Sequence, residues 1–277
     1  MFSDKTWWVT GASSGIGAAL AEALSARGAN LVLAGRNIGA LEDVAKRCGT
    51  KVLTLPFEAT DFDQIPALVE TAWSWAAQTG DRIDGLINNA GISQRSLAVE
   101  TVFDVYRKIV DVDLLAPIAL TQALLPHMIE AGGGNIVGIS SVAGIIGAPL
   151  RSAYSAAKHG LIGYHDSLRA ETAHLGVEVL VVAPGSVRTN VSRNALDATA
   201  SKRGVSDTAI EEGMDPREAA RRIVDAIAEG QRELILAEGI EAEMVRLRRE
   251  SPEVLFDMMA TKLVSDGYAT RMGASDE

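Results

Sequence analysis

Tyr154 and Lys158, in the run Tyr154-Ser155-Ala156-Ala157-Lys158, are spaced i and i+4 and share one face of a helix. A free tyrosine phenol, with a pKa of about 10, is a poor acid–base group near neutrality. An ammonium one turn away favours its phenolate. Alone, such a pair is frequent by chance and usually just a helix surface. Ser141 adds weight, because it lies 13 residues before Tyr154, just past the strand-like run Asn135–Ser140. Strand ends point into the crevice where ligands bind in open parallel sheets. There the Ser141 hydroxyl would hold a substrate oxygen beside Tyr154. Ser140 is its competitor, and the spacing favours Ser141. A proton donor, a cation and a hydroxyl together suit hydride transfer to a carbonyl.

Such chemistry needs a dinucleotide, and the start of the chain offers a place for one. Thr10-Gly11-Ala12-Ser13-Ser14-Gly15-Ile16-Gly17 joins a first strand-like run to a first helix. Gly11, Gly15 and Gly17 allow a tight turn and close backbone approach. Ser13, Ser14, Gly15 and Ile16 place helix N-terminal amides and the positive dipole end at a pyrophosphate. The pattern is Gly-x-x-x-Gly-x-Gly rather than Gly-x-Gly-x-x-Gly, and its position between strand and helix carries the inference. The second strand ends Leu33-Ala34-Gly35-Arg36-Asn37, with no acid to bind ribose hydroxyls. Arg36 is placed to pair with a 2′-phosphate, so NADP(H) is expected ahead of NAD(H). The alternative is a solvated surface arginine. In Asn88-Asn89-Ala90-Gly91, asparagine side chains can tie neighbouring strands and small Ala-Gly leaves room for an adenine-ribose surface, so Asn88, Ala90 and Gly91 are expected among the cofactor contacts. Pro184-Gly185-Ser186-Val187-Arg188-Thr189 would fold over the nicotinamide, with Thr189 hydrogen-bonded to its carboxamide. His127, His159, His165 and His174 have no metal-ligand spacing, and no metal is expected.

The elements that must position these groups alternate along the chain. Strands are expected at Thr6–Thr10, Asn30–Ala34, Lys51–Leu55, Ile83–Asn88, Asn135–Ser140, Val177–Ala183 and Glu233–Leu236. Helices are expected at Gly15–Arg27, Ile38–Cys48, Gln64–Thr79, Val102–Glu130, Ser152–His174 and Pro216–Glu229. This predicts one α/β domain, a doubly wound parallel sheet with helices on both faces. Runs such as Val179-Leu180-Val181-Val182 are apolar without alternation, as in strands buried on both sides. We expect a catalytic domain over 1–239, with a polar substrate loop at about 190–214, and a helical tail over 240–277. In the tail, Leu255, Phe256, Met258 and Met259 would either roof an apolar pocket or be simple core.

The 277 residues are 47% apolar, enough to bury a sizeable core. A net charge of −10 argues against non-specific binding of nucleic acid or anionic membrane. No apolar run approaches the ~20 residues of a membrane span. Met1–Lys5 has no signal-peptide core, and Cys48 is the single cysteine, so a cytoplasmic location is expected.

Taken in order and spacing, Thr10–Gly17, Asn88–Gly91, Ser140-Ser141, Tyr154–Lys158 and Pro184–Thr189 resemble the short-chain dehydrogenase/reductase family, over residues 5 to about 237. Arg151–Tyr154, Arg169-Ala170-Glu171, Thr189–Ser192 and Gly204–Asp207 resemble its member 7 branch. The family resemblance implies a seven-stranded sheet and a homodimer or homotetramer. It implies Tyr154 as general acid/base, Ser141 orienting the carbonyl or alcohol of a small substrate, and Lys158 on the cofactor ribose. It further implies Val187 and Thr189 at the nicotinamide, with Pro184 and Gly185 in the same loop. Two positions depart from the family pattern. Asp113 replaces an asparagine that holds a water leading from the lysine to solvent. As an anion it would pair with Lys158, raise the lysine pKa and weaken its pull on Tyr154. Glu58 replaces an aspartate near the adenine ring. The expected activity is interconversion of a ketone or aldehyde with an alcohol. The alternative is a weak or inactive nicotinamide-binding regulator.

Overall fold

A computed structural model describes residues 2–265. The last part of the expected tail, 266–277, lies outside the described residues. Seven strands form one sheet: β1 (Thr6–Thr10), β2 (Asn30–Gly35), β3 (Val52–Pro56), β4 (Ile83–Asn88), β5 (Gly134–Ile139), β6 (Val177–Pro184) and β7 (Glu233–Leu236). Their order is β3-β2-β1-β4-β5-β6-β7, and every pairing is parallel. The order reverses between β1 and β4. In open α/β sheets that switch point, at the carboxyl ends of the strands, is where a crevice forms.

Successive strand residues face opposite sides, so each strand feeds two cores. Trp7, Val9, Leu31, Leu33, Val137 and Val182 face α1 (Gly15–Ser25), α2 (Ile38–Ala45) and α8 (Pro216–Ala228). Their partners Leu20, Leu24, Leu41 and Ile223 are fully buried, each contributing about 2 kcal/mol. On the other side Trp8, Val32, Leu86, Ile136 and Val179 meet α3 (Ile65–Thr79), α5 (Ala116–Glu130) and α6 (Ser152–Thr172). Gly85 is required where the Trp7 ring crosses β4, since a Cβ there would lie 2.4 Å from the indole.

The single helix expected over Val102–Glu130 is instead α4 (Phe103–Val110), a π-helical segment (Asp111–Leu115) and then α5. Widened turns of this kind recur at functional sites. This one carries Asp113 inward. The whole stretch Phe103–Glu130 is long and apolar enough to cross a membrane, and 44% of its most apolar window is buried inside the fold.

The 190–214 segment has one short helix, α7 (Thr208–Glu211), and is pinned by bridges from Gln94 to Leu196 and Val187 to Met214. The tail begins with α9 (Gly239–Glu250) and α10 (Pro252–Ser265). Val245 and Leu255 pack on Val142 and Ile146 beside the crevice. Met258 and Met259 line the crevice, whereas Phe256 is exposed with the Arg248 guanidinium over its ring.

Candidate active site

One cleft of about 2090 Å³ opens above the switch point. It is lined by Gly11, Ser13, Ser14, Gly15 and Ile16 after β1, Gly35, Arg36 and Asn37 after β2, and Glu58 after β3. Asn89, Ala90 and Gly91 after β4, Ser140 and Ser141 after β5, and Pro184, Gly185, Val187 and Thr189 after β6 complete that wall, with Asp113, Tyr154 and Lys158 beside it.

Local sequence explains each position. Gly11 and Gly15 adopt φ of +64° and +56°, a region glycine enters without strain. A Cβ on Gly11 would come 2.8 Å from Ala90 Cα, and one on Gly15 would come 3.0 Å from Thr189 Cγ2. The β1 turn is therefore packed directly on the β4 end and the β6 strap. Ser14 leads α1 without a side-chain cap, and no acid lies in the first turn. The helix amides and dipole thus face the cleft free of an internal anion. Arg36 is exposed and makes no ion pair or side-chain hydrogen bond among the described residues.

Two expected contacts are corrected. Asn88 does not line the cleft, because strand alternation turns it into the core, where its amide donates to Thr121 Oγ1 at 2.9 Å. Its neighbour Asn89 does the tying, donating from Nδ2 to the Thr10 carbonyl at 2.9 Å. Gly17 is also buried away from the cleft. A Cβ there would meet the Gly11 carbonyl oxygen at 2.3 Å, so it serves turn–helix packing. Glu58 does line the cleft, but its Oε1 accepts from the Thr60 amide and hydroxyl.

The two serines line the cleft with different partners. Ser140 is buried and donates to the Lys158 carbonyl at 2.9 Å. Ser141 is half-buried at the cleft, caps the turn Val142–Gly144 and contacts the Pro184 carbonyl at 3.3 Å. The Tyr154 phenol makes no hydrogen bond to a described residue, and the Lys158 ammonium lies 5.7 Å from its ring centre. Lys158 is almost fully buried. It donates to the Ile139 carbonyl at 3.0 Å and faces Asp113 Oδ2 at 3.2 Å. A lysine ammonium has three donors, so one remains for a ligand or for Tyr154. Asp113 is fully buried, and its Oδ1 accepts from the Ile92 amide at 2.8 Å. Burial alone would lower the Lys158 pKa, but the charges of Asp113 and Tyr154 outweigh it and hold the ammonium above its ordinary value. Burial raises the Asp113 carboxyl, against the pull of Lys158 and the Ile92 amide.

Residues without a local sequence signal also reach the cleft. Glu241 of α9 accepts from the Ser186 amide and hydroxyl, both at 2.8 Å, fastening the β6 strap. Arg95, Arg151, Arg203 and Asp207 cluster on the Tyr154 side. Arg203 and Asp207 pair four residues apart, and sequence-distant pairing brings Arg95 and Arg151 to them.

Comparison with known proteins identifies the family. Residues 5–200 match the family model described as short chain dehydrogenase. The chain is 38% identical over 257 residues to Dehydrogenase/reductase SDR family member 7B of Mus musculus, covering 92% of this chain and 80% of the relative. A short-chain dehydrogenase from Sphingobium yanoikuyae in complex with NADPH superposes with a TM-score of 0.74 at 26% identity, over 91% of this chain and 96% of that one. A short chain dehydrogenase/reductase from Burkholderia phymatum in complex with NAD shares the fold, with a TM-score of 0.79 at 24% identity, covering 91% and 95%. The protein belongs to the short-chain dehydrogenase/reductase family, with its resemblance running to the member 7 branch, and is an NAD(P)-dependent oxidoreductase.

Proposed function

We propose that the protein is an NADP(H)-dependent oxidoreductase that interconverts a ketone or aldehyde with an alcohol, with Tyr154 as general acid/base. The observation that carries this is the free Tyr154 phenol in the cleft, with Lys158 5.7 Å from its ring centre. The uncapped start of α1 fits a pyrophosphate, and Arg36, without an ion-pair partner among the described residues, supports the 2′-phosphate form. Ala90 and Gly91 would face the adenosine side, Lys158 a ribose hydroxyl, and Val187 and Thr189 the nicotinamide.

A nicotinamide held in the cleft would supply or accept the hydride at the substrate carbon. In the reducing direction the Tyr154 phenol gives its proton to the carbonyl oxygen, while the Ser141 hydroxyl donates a hydrogen bond to that oxygen as charge develops. The resulting phenolate is stabilised by the Lys158 ammonium and regains a proton from solvent. Oxidation reverses the proton path, with the phenolate taking the alcohol proton.

Tyr154→Phe removes only the hydroxyl. We expect NADPH-dependent carbonyl reduction to fall by at least about 1000-fold, with NADPH binding by fluorescence titration retained. Turnover close to wild type in this variant would overturn the assignment. The single Cys48 is in keeping with a cytoplasmic location, and the small, open positions Ala156 and Gly163 on α6 with assembly as a homodimer or homotetramer.

A further inference from the structure

On the Tyr154 side of the cleft, three guanidinium groups converge on one carboxylate. Arg95 Nε lies 2.6 Å from Asp207 Oδ2, Arg151 Nη2 lies 3.6 Å from the same oxygen, and Arg203 pairs with Oδ1. None of the three has a second carboxylate within ion-pair distance among the described residues. Two positive charges are therefore left unmatched in a protein whose net charge is −10.

The three are not equivalent. The Arg95 side chain is 6% exposed, and it also donates to Ser93 Oγ at 2.8 Å and the Gln94 carbonyl at 2.7 Å. Burial and the nearby Arg151 charge bring its pKa down to about 10, although Asp207 and Tyr154 act to raise it. Arg95 with Asp207 is enough to staple the 190–214 segment to the end of β4, and Asp207 is further held by its own amide on Ser192 Oγ at 3.0 Å. That staple does not account for Arg151 and Arg203. Arg203 adds a 3.3 Å hydrogen bond to Ser192 Oγ. The Arg151 guanidinium donates no hydrogen bond to a described residue, lines the cleft, and stands at the head of α6 three residues before Tyr154. The cleft carboxylates Glu100, Asp197 and Glu212 pair with none of them, and Asp197 is occupied by the Thr199 and Ser201 amides.

We propose that the substrate carries an oxyanion, either a carboxylate or a phosphate monoester, bound by Arg151 and Arg203 while its carbonyl or alcohol carbon lies at Tyr154. The inference rests on the oxidoreductase reading of the same site. A guanidinium presents a planar fork that matches either oxyanion in two-point hydrogen bonding, which suits the open Arg151. Asp207 then sets the orientation of the arginines. It also keeps the vacant site from holding three uncompensated cations.

The test compares matched pairs: a medium-chain keto acid against its methyl ester, and a hydroxyketone phosphate against the free hydroxyketone. Reduction by NADPH is followed for wild type, Arg151→Gln and Arg203→Gln. Calorimetric titration of the same four compounds into NADP⁺-saturated protein runs alongside. Wild type is expected to prefer one anion over its neutral partner by about 30-fold or more in kcat/KM, mostly through KM. The preferred anion distinguishes carboxylate from phosphate. Arg151→Gln should reduce that ratio at least about tenfold. Arg203→Gln repeats the comparison if Arg151→Gln does not fold. Equal use of anion and neutral partner by wild type would overturn the proposal, as would a ratio unchanged in both variants. Anion binding that depends on Arg151, without turnover of any compound, would uphold the oxyanion site and sink the oxidoreductase reading instead. Absence of both binding and turnover for either anion would overturn the oxyanion site.

Discussion

Replacing Asp113 by Asn removes a buried charge beside Lys158 while leaving an oxygen to accept the Ile92 amide. The ammonium sits 5.7 Å from the Tyr154 ring centre. With an effective dielectric of about 20, a unit charge at that distance favours the phenolate by about 3 kcal/mol. Asp113 Oδ2 lies 3.2 Å from the same nitrogen. It is therefore no more than about 9 Å from the ring, where a full negative charge opposes the lysine by about 2 kcal/mol. Two kcal/mol corresponds to about 1.5 pH units. Burial favours the protonated carboxyl and reduces the average charge, so a shift of about one unit is expected. The sign follows from the mechanism, because alcohol oxidation needs the phenolate and the variant lowers the cost of forming it. The acidic limb of kcat/KM for oxidation, measured at saturating NADP⁺, should move about one unit to lower pH in Asp113→Asn. A limb that stays within about 0.3 unit would refute the reasoning, since Asp113 would then be neutral at the working pH and would oppose nothing at Lys158.

Arg36→Ala should lower kcat/KM for NADPH about tenfold or more and leave NADH nearly unaffected, measured by absorbance with one carbonyl substrate. Equal losses for the two cofactors would remove the basis for the NADP(H) preference. His165 is buried under Gly138, and burial brings its pKa down from 6.5 to about 4. The folded protein thus binds this proton less readily than the unfolded chain. The stabilisation is full above about pH 6.5 and is lost as pH falls towards 4. It should cost about 2 kcal/mol at pH 5 in urea unfolding, and His165→Gln should flatten that part of the pH dependence. An unchanged slope in the variant would assign the acid sensitivity to other groups.

Much of this arrangement is legible in the sequence because the chemistry is written locally. Tyr154 and Lys158 are one helical turn apart, Ser141 follows β5, and the Gly11–Gly15 turn sits between β1 and α1. The strands are legible because buried parallel strands are short apolar runs bounded by turns. What escaped depends on pairing across the chain. Asp207 meets Arg95 over a separation of 112 residues, and Glu241 meets Ser186 over 55. No periodicity marks either. Asn88 was misplaced among the cofactor contacts because adjacent asparagines at a strand end face opposite sides, and the doublet does not say which faces out. The π-helical segment is hidden for a related reason, since its one wider turn leaves the apolar pattern of Phe103–Glu130 intact.

The hold of Glu241 on Ser186 has a consequence for how this enzyme diversifies. The family match ends at residue 200, yet α9 reaches back to brace the Pro184–Thr189 strap, and Met244, Met258 and Met259 line the same cleft. The reacting groups and part of the cleft wall around them are thus encoded in separate stretches of chain. Substitutions after residue 200 can reshape what enters while Tyr154, Ser141 and the Gly11–Gly15 turn stay as they are. Engineering a new preference in this protein would begin at its carboxyl-terminal quarter.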